Sequence, residues 1–355
     1  MKARIESLDF LRGLAILFTI QGHWIGYSDH PGEWIRLLSR FIPNGYFGVR
    51  LFFLVSGYII TLIFLREIQK KNIIDVSFFF VKRALRILPV YVLYLMALFG
   101  LNDILNLQLT SNDFLYPSLF LVCFSHNLDW VVTHFWSLNV EEWFYIFFPF
   151  SIQLILKIKK YQWFKKYFPW ILFGITFVLY LHSMYIERDA SHLFNNLIYL
   201  SVGVLFAFKN EFLSRLISMR NSKLMLMLAF MTMVIYAVIN PYFVDFFNQA
   251  SFTDVSTLLA NMVVFLLIAF HKGYYHLKVM NSKVGQMLSY LGTACYSLYV
   301  WQELFLRDSF NTINQFPFNI ILVFVVGILS YEIIEKFFER KKKSLIKRKL
   351  ISNPF

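Results

Sequence analysis

Long apolar stretches recur along this 355-residue chain. Ten of them are close to the roughly 20 residues that a helix needs to cross a bilayer. Backbone polar groups must be satisfied inside the hydrocarbon, so such stretches are stable there as helices. The sequence therefore predicts an all-α polytopic membrane protein with about ten transmembrane helices in one bundle. The stretches lie near 9–27, 46–65, 87–106, 136–156, 168–186, 193–208, 224–242, 255–271, 286–305 and 317–336.

The composition excludes a soluble protein. Only 15% of the residues are charged and 58% are hydrophobic, whereas a soluble domain carries about 25% charged residues. So few charges cannot cover a soluble surface. The two cysteines, Cys123 and Cys295, provide no disulfide framework. These numbers exclude a soluble enzyme, a disordered chain and a disulfide-stapled scaffold.

The basic residues predict the topology. The net charge of +13 would suggest a nucleic-acid partner in a soluble protein, but here the distribution matters more. If both termini are cytoplasmic, 28 of the 34 Lys and Arg residues lie in cytoplasmic segments and 4 in outer loops. That bias follows the positive-inside rule, so we expect no nucleic-acid partner. If the short apolar stretch 114–124 crossed the membrane, every later loop would lie on the opposite side and the charge bias would be lost. We therefore expect this stretch to be interfacial or re-entrant.

The chain has no linker that would separate globular domains. We expect an uncleaved first helix, because no small-residue cleavage site follows it. We therefore predict one transmembrane domain over 1–340 and a basic cytoplasmic tail over 341–355. The tail serves as a cytoplasmic anchor, and it could also touch anionic membrane lipid.

The first predicted helix carries two ionisable residues, Arg12 and His23. They are 11 residues apart, which places both on one helix face with an axial separation of about 16 Å. Asp9 is three residues before Arg12 and can pair with it. Ionisable groups within a bilayer are costly and usually functional. The alternative is a snorkelling arginine and a buried histidine bonded to a backbone carbonyl.

Two further pairs are candidates for function. Arg83 and Arg86 are one turn apart at the predicted cytoplasmic mouth of the third span, a spacing that suits a phosphate or pyrophosphate. Positive-inside anchoring is the alternative. Glu141 and Glu142 are adjacent carboxylates just inside the predicted outer interface. Ser137 and Glu141 come close to a helix-capping pattern, so the alternative for Glu141 is a structural role at the start of the helix.

Six motifs, in order along nearly the whole chain, resemble the acyltransferase-3 family of integral membrane acyltransferases. They read LDFLRGLAILFTIQGH, YFGVRLFFLVSGYIIT, VKRALRILPVYVLYL, FWSLNVEEWFYIFFP, LSYLGTACYSLYVWQ and SYEIIEKFFER. The resemblance implies transfer of an acyl group, usually acetyl from acetyl-CoA, to a hydroxyl of an extracytoplasmic or lipid-linked glycan. O-antigen, lipopolysaccharide and exopolysaccharide are acceptors of this kind. It also implies the bacterial inner membrane as the location, with no metal.

The resemblance carries over onto the three candidate pairs. The family's Arg-x10-His pair matches Arg12 and His23, its Arg-x-x-Arg pair matches Arg83 and Arg86, and its acidic pair matches Glu141 and Glu142. It implies His23, Glu141 and Glu142 as catalytic residues. Arg12, Arg83 and Arg86 would bind the acyl-CoA. Two positions depart from the pattern. Many relatives have an acid in place of Arg50 and a histidine in place of Gln302, and no role is carried over to either.

The expected mechanism joins the two sides of the membrane. The arginine pair holds the nucleotide phosphates inside, and the pantetheine arm reaches into the bundle. His23 deprotonates the attacking hydroxyl, and an outer carboxylate orients His23 or binds the acceptor. Direct transfer and a covalent acyl-histidine are both open. The alternative class is a transporter or flippase for a small solute or a lipid-linked sugar, which buried charges around a cavity would also serve.

Overall fold

Helices make up the described part of the chain, in which no strand occurs. This computed structural model describes residues 6–27, 39–71, 73–125, 127–158, 161–183, 191–218, 221–247, 250–270, 274–306 and 316–352. The prediction of an all-α protein is confirmed. Each of the ten predicted apolar stretches coincides with a helix.

Fifteen α-helices lie in these residues, with one 3₁₀ turn (Val122–Phe124) and one π turn (Tyr331–Glu335). The helices are α1 Glu6–Tyr27, α2 Gly45–Lys71, α3 Val76–Leu101, α4 Ser111–Ser118, α5 Trp130–Thr133, α6 Trp136–Ile158, α7 Tyr161–Ser183, α8 Ser191–Phe208, α9 Asn210–Ser218, α10 Ser222–Phe247, α11 Ala250–Ala269, α12 Tyr274–Met280, α13 Lys283–Leu306, α14 Phe318–Ser330 and α15 Lys336–Ser352.

Four helical segments are long and apolar enough to cross a membrane by themselves: α2, α3, α7 and the continuous segment Phe318–Ile346. A fifth candidate is the pair Leu193–Phe208 and Asn210–Ile217, which is bent by 79°. The total of ten spans and the cytoplasmic termini therefore stay predictions. The last helical segment passes through position 340 and continues to Ser352, and residues 353–355 lie outside the described part.

Helices α1 and α13 form a close parallel pair. At the first turn of α1, a Cβ on Gly292, in the first half of α13, would stand 1.7 Å from the carbonyl oxygen of Asp9. Near their last turns, His23 contacts Glu303. Only glycine allows backbones to approach this closely. The parallel direction is the one expected for the first and ninth of ten alternating spans.

The segment between α3 and α6 is folded back as short pieces. The hydroxyl of Tyr91 donates to the carbonyl of Pro117 at 2.9 Å, and that of Tyr94 donates to the carbonyl of Val131 at 2.8 Å. These bonds hold α4 and α5 against the second half of α3. The stretch 114–124 thus forms part of α4 and the 3₁₀ turn, in keeping with the expected interfacial or re-entrant piece.

Two clusters of buried apolar side chains surround α1. One is built mainly from α2, α6, α8 and α11, and the other from α3, α13 and α14. Residues of α1 belong to both clusters. Polar side chains of α1, α2, α3, α6 and α13 meet where the clusters adjoin, and this is where the candidate site lies.

Candidate active site

Two cavities adjoin inside the bundle. The inner one has a volume of about 80 Å³ and is lined by Arg12, Ser56, Arg83, Arg86 and Glu141, among others. The outer one has a volume of about 460 Å³ and is lined by His23, Asn44, Tyr46, His134 and Trp136, among others. Val49 and Tyr299 line both cavities and form the wall between them. The predicted pair of Arg12 and His23 is therefore divided between two adjoining cavities.

Arg83 is fully engaged by the acidic pair. Its Nε donates to Oε1 of Glu142 at 2.9 Å, and its Nη2 donates to Oε2 of Glu141 at 3.2 Å. The guanidinium lies 3.5 Å from the centre of the Tyr145 ring. Ser56 donates to the other oxygen of Glu141 at 2.8 Å. Two carboxylates thus neutralise this arginine in the wall of the inner cavity, and the Tyr145 ring packs against it.

These contacts correct one expectation from the sequence. Arg83 was expected at the cytoplasmic mouth, with Glu141 and Glu142 near the outer interface, yet the three side chains touch. Ser56, which binds Glu141, lies near the middle of the 27-residue α2. The acidic pair therefore lies near mid-depth. The physical reason is that α6 begins only after the folded-back segment, so its first turns are already inside the bundle.

Arg12 and Arg86 are the other two cations of the inner cavity. Arg12 lies 3.7 Å from Asp9, which agrees with the expected local pair. Arg86 has no carboxylate within 4.0 Å among the described residues. Nearby electrostatic partners include the carboxylate of Glu335 in the π turn, which accepts a hydrogen bond from Ser297 at 2.9 Å. Arg86 is thus the inner arginine that lacks a carboxylate at ion-pair distance among the described residues.

His23 is held by a buried carboxylate from α13. Its Nδ1 contacts Oε1 of Glu303, whose side chain is 1% exposed. Glu303 takes the place that an outer carboxylate was expected to fill, while Glu141 and Glu142 contact Arg83 instead. A carboxylate on Nδ1 fixes the orientation of an imidazole. His23 itself is partly exposed and faces the outer cavity.

Tyr299 connects the wall to the break between α5 and α6. Its hydroxyl donates to the backbone carbonyl of His134 and lies 2.7 Å from the hydroxyl of Ser137. Ser137 therefore bonds a tyrosine of α13, which is a different partner from the helix-capping alternative. These bonds tie α13 to the first turn of α6. Glu141 and Glu142 follow that turn in the same helix.

The two positions that depart from the family pattern are both buried. Arg50 forms an ion pair with Asp254 of α11 and lies 5.4 Å from the centre of the Tyr199 ring. Gln302 is completely buried, and its amide atoms have no hydrogen-bond partner among the described residues. Arg50 therefore joins α2 to α11, and neither residue lines the two cavities described above.

Three site residues were not singled out from the sequence: Glu303, His134 and Tyr299. Glu303 carried a usable signal, because an acidic residue inside an apolar stretch is expensive unless it has a partner. His134 comes directly before the FWSLNVEE motif, and no spacing in the sequence indicated that it belongs to the site. Tyr299 is one of 20 tyrosines in an aromatic-rich chain, so its residue type gave no signal.

Comparison with known sequences assigns the chain to a family. The sequence model of the acyltransferase-3 family, described as an acyltransferase domain, matches residues 5–331. The chain belongs to this family.

Two of the relatives that it matches are from Staphylococcus aureus. It is 25% identical over 377 residues to the protein named "Putative O-acetyltransferase SACOL0978" of Staphylococcus aureus strain COL, covering 95% of this chain and 58% of the relative. It is 25% identical over 361 residues to O-acetyltransferase OatA of strain NCTC 8325, covering 93% of this chain and 56% of the relative. The chain thus spans a little over half the length of these relatives. No solved structure matches it.

Proposed function

We propose that this protein is a membrane-embedded O-acyltransferase that moves an acyl group, acetyl in the first instance, from acyl-CoA to a hydroxyl of an extracytoplasmic or lipid-linked glycan. One observation carries the proposal. A histidine held by a buried carboxylate faces a roomy cavity, and that cavity adjoins a narrow one lined by three arginines. Acyl transfer from a polyanionic donor needs both parts.

His23 is proposed as the general base. Glu303 contacts Nδ1, and Nε2 is the ring nitrogen proposed to take the proton of an acceptor hydroxyl. The hydroxyl oxygen then attacks the thioester carbonyl carbon, the carbon–sulfur bond breaks, and the thiolate leaves. The proton on His23 passes to that thiolate. The buried carboxylate stabilises the imidazolium that forms between the two steps.

The inner cavity is proposed to take the acyl-bearing arm of the donor. Its volume of about 80 Å³ is far below the roughly 300–1,000 Å³ of pockets that enclose a whole drug-sized ligand. It therefore suits an unbranched chain, and the nucleotide remains at the inner mouth. Arg86, which has no ion-pair partner among the described residues, is the best-placed phosphate ligand. Arg83 is proposed to support this site by holding Glu141 and Glu142 in place.

The direct test uses purified protein in detergent. We expect transfer of radiolabelled acetyl from acetyl-CoA to cell-envelope polysaccharide whose own O-acyl esters have been removed with mild base. A transporter or flippase would transfer none. His23→Ala is expected to abolish transfer, and Glu303→Gln is expected to lower kcat roughly 10²–10⁴-fold.

Glu332→Gln is the matched control for Glu303. Glu332 lies in the π turn with its carboxylate 38% exposed and paired with Lys336, outside both cavities. It should retain the parent kcat. A well-folded His23→Ala variant with near-normal transfer would show that His23 is not the base.

A further inference from the structure

His134 is a buried histidine that the mechanism above does not use. It lies in the two-residue break between α5 and α6, and it lines the outer cavity together with His23. The residue is 3% exposed. Neither ring nitrogen has a hydrogen-bond partner among the described residues, although the backbone of Val300 lies close to the ring.

The position of the ring is fixed on several sides. The backbone carbonyl of His134 accepts from Tyr299. The ring centre lies 5.3 Å from that of Tyr299, 6.0 Å from that of Tyr94 and 4.1 Å from that of Phe135. A ring packed in this way loses little further freedom when a ligand binds, which favours affinity. The site is therefore preorganised.

Most buried histidines are satisfied by the protein, whereas the ring nitrogens of His134 have only the nearby backbone of Val300 and no partner with good hydrogen-bond geometry among the described residues. A buried polar atom without a partner costs about 1–3 kcal/mol. Neutral imidazole offers one donor and one acceptor. A ligand or solvent group that both donates and accepts is needed to recover that free energy, and a hydroxyl has both capacities. The two ring nitrogens point in different directions, so one sugar hydroxyl can serve one of them.

The rest of the outer cavity fits the same kind of ligand. Tyr46, Trp136 and Tyr299 give it aromatic walls, and Asn44 adds an amide. Its volume of about 460 Å³ falls within the range for small-molecule sites. Such sites combine mostly apolar walls with a few fixed polar groups that orient the ligand. His23 and His134 are the two imidazoles that line this cavity among the described residues.

We propose that His134 is an acceptor-binding residue: it hydrogen-bonds a sugar hydroxyl beside the one that is acylated, so that the reacting hydroxyl faces Nε2 of His23. The inference rests on the proposed function and adds the residue that recognises the acceptor. His134 takes no proton from the reacting group in this scheme. Its contribution is therefore to acceptor affinity and orientation.

The test compares the effect of a variant on the KM for the acceptor with its effect on the KM for acetyl-CoA. His134→Phe keeps a planar ring and removes both nitrogens. With de-O-acylated envelope polysaccharide as the variable substrate, the apparent KM should rise about tenfold or more, the effect of losing about 1.4 kcal/mol of binding. The KM for acetyl-CoA should stay within about twofold. His134→Gln, which keeps a donor and an acceptor, should recover part of the acceptor affinity.

His182→Phe is the matched control, because His182 is exposed near the end of α7 and lines neither cavity. It should change neither constant. An unchanged acceptor KM in folded His134→Phe would overturn the inference, as would an equal rise in both constants. If His134→Phe does not fold, a parent-like acceptor KM in His134→Leu would overturn it in the same way. Failure of the parent protein to transfer any acetyl would instead refute the proposed function.

Discussion

At the residue scale, the buried charges divide into engaged and available groups. Arg83 is engaged by two carboxylates, Arg50 by Asp254, and His23 by Glu303. Arg86 faces the inner cavity without a carboxylate at ion-pair distance among the described residues. The Arg-x-x-Arg spacing does not distinguish Arg83 from Arg86, whereas the structure places them in different surroundings.

That difference predicts different defects for the two arginines. Arg86→Ala should raise the KM for acetyl-CoA roughly 10- to 150-fold, because a charge-assisted hydrogen bond contributes about 1.5–3 kcal/mol. Its melting temperature should fall less than that of Arg83→Ala, because the nearby carboxylate of Glu335 keeps its hydrogen bond from Ser297. Arg83→Ala leaves Glu141 and Glu142 buried without their cation, which costs roughly 3–5 kcal/mol, so its melting temperature should fall clearly.

The measurements are acetyl-CoA kinetics and thermal unfolding in the same detergent. Arg86→Lys tests the geometry, because lysine keeps the charge and loses the planar fork. An intermediate KM is expected for it. If Arg86→Ala binds acetyl-CoA like the parent, Arg86 is a topology anchor, which was the alternative drawn from the sequence.

At the scale of helices, the sequence predicted the elements better than their contacts. The apolar stretches located all ten long helices, because length and hydropathy are local properties. The start of α3 was missed: the helix begins at Val76, where the side chain of Asp75 accepts from the backbone N–H of Phe78 at 3.0 Å. The sequence predicts this span only from residue 87, because the first turns of the helix carry Lys82, Arg83 and Arg86.

Contacts between distant helices had no local signal. His23 and Glu303 are 280 positions apart, and only the parallel packing of α1 on α13 brings them together. The same holds for Arg83 and Glu141. The periodicity of a single helix shows which residues share a face, but it contains no information on which helix that face meets.

Close packing of α1 on α13 gives the prediction at this scale. A methyl group at Gly292 would stand 1.7 Å from the carbonyl oxygen of Asp9. Gly292→Ala should therefore force the helices apart, at a cost of about 1–3 kcal/mol. Because the same helices carry His23 and Glu303, kcat should fall together with the melting temperature.

Gly100→Ala in α3 is the matched control. No atom lies within 4 Å of the position of its added methyl, and alanine is a better helix former than glycine by about 0.5–1 kcal/mol. Its melting temperature should stay the same or rise. Equal melting temperatures for Gly292→Ala and the parent would contradict the close packing of α1 on α13.

At the scale of the whole molecule, the question is how the site is reached from each side. The charge bias places Lys223 on the cytoplasmic side and Asn127 on the outer side, and both side chains are exposed. The donor is expected to enter from inside and the acceptor from outside. The inner and outer cavities are arranged in series, which suits entry from two faces.

Single-cysteine labelling tests this topology. After Cys123 and Cys295 are replaced, Asn127→Cys should react with an impermeant thiol reagent in intact cells, and Lys223→Cys should react only after the cells are opened. The reverse pattern, or labelling of both in intact cells, would overturn the predicted orientation and the two-sided mechanism. Retained acetyl transfer by the cysteine-free parent is the control for correct folding.

The wall of Val49 and Tyr299 has a consequence for the energetics of the cell. A continuous aqueous path through a membrane protein would let protons flow down their electrochemical gradient. We expect the apolar side chain and the aromatic ring at which the two cavities adjoin to interrupt a chain of water molecules at that point. In the proposed mechanism an acyl group then crosses this wall as part of a covalent donor, without opening a path for protons.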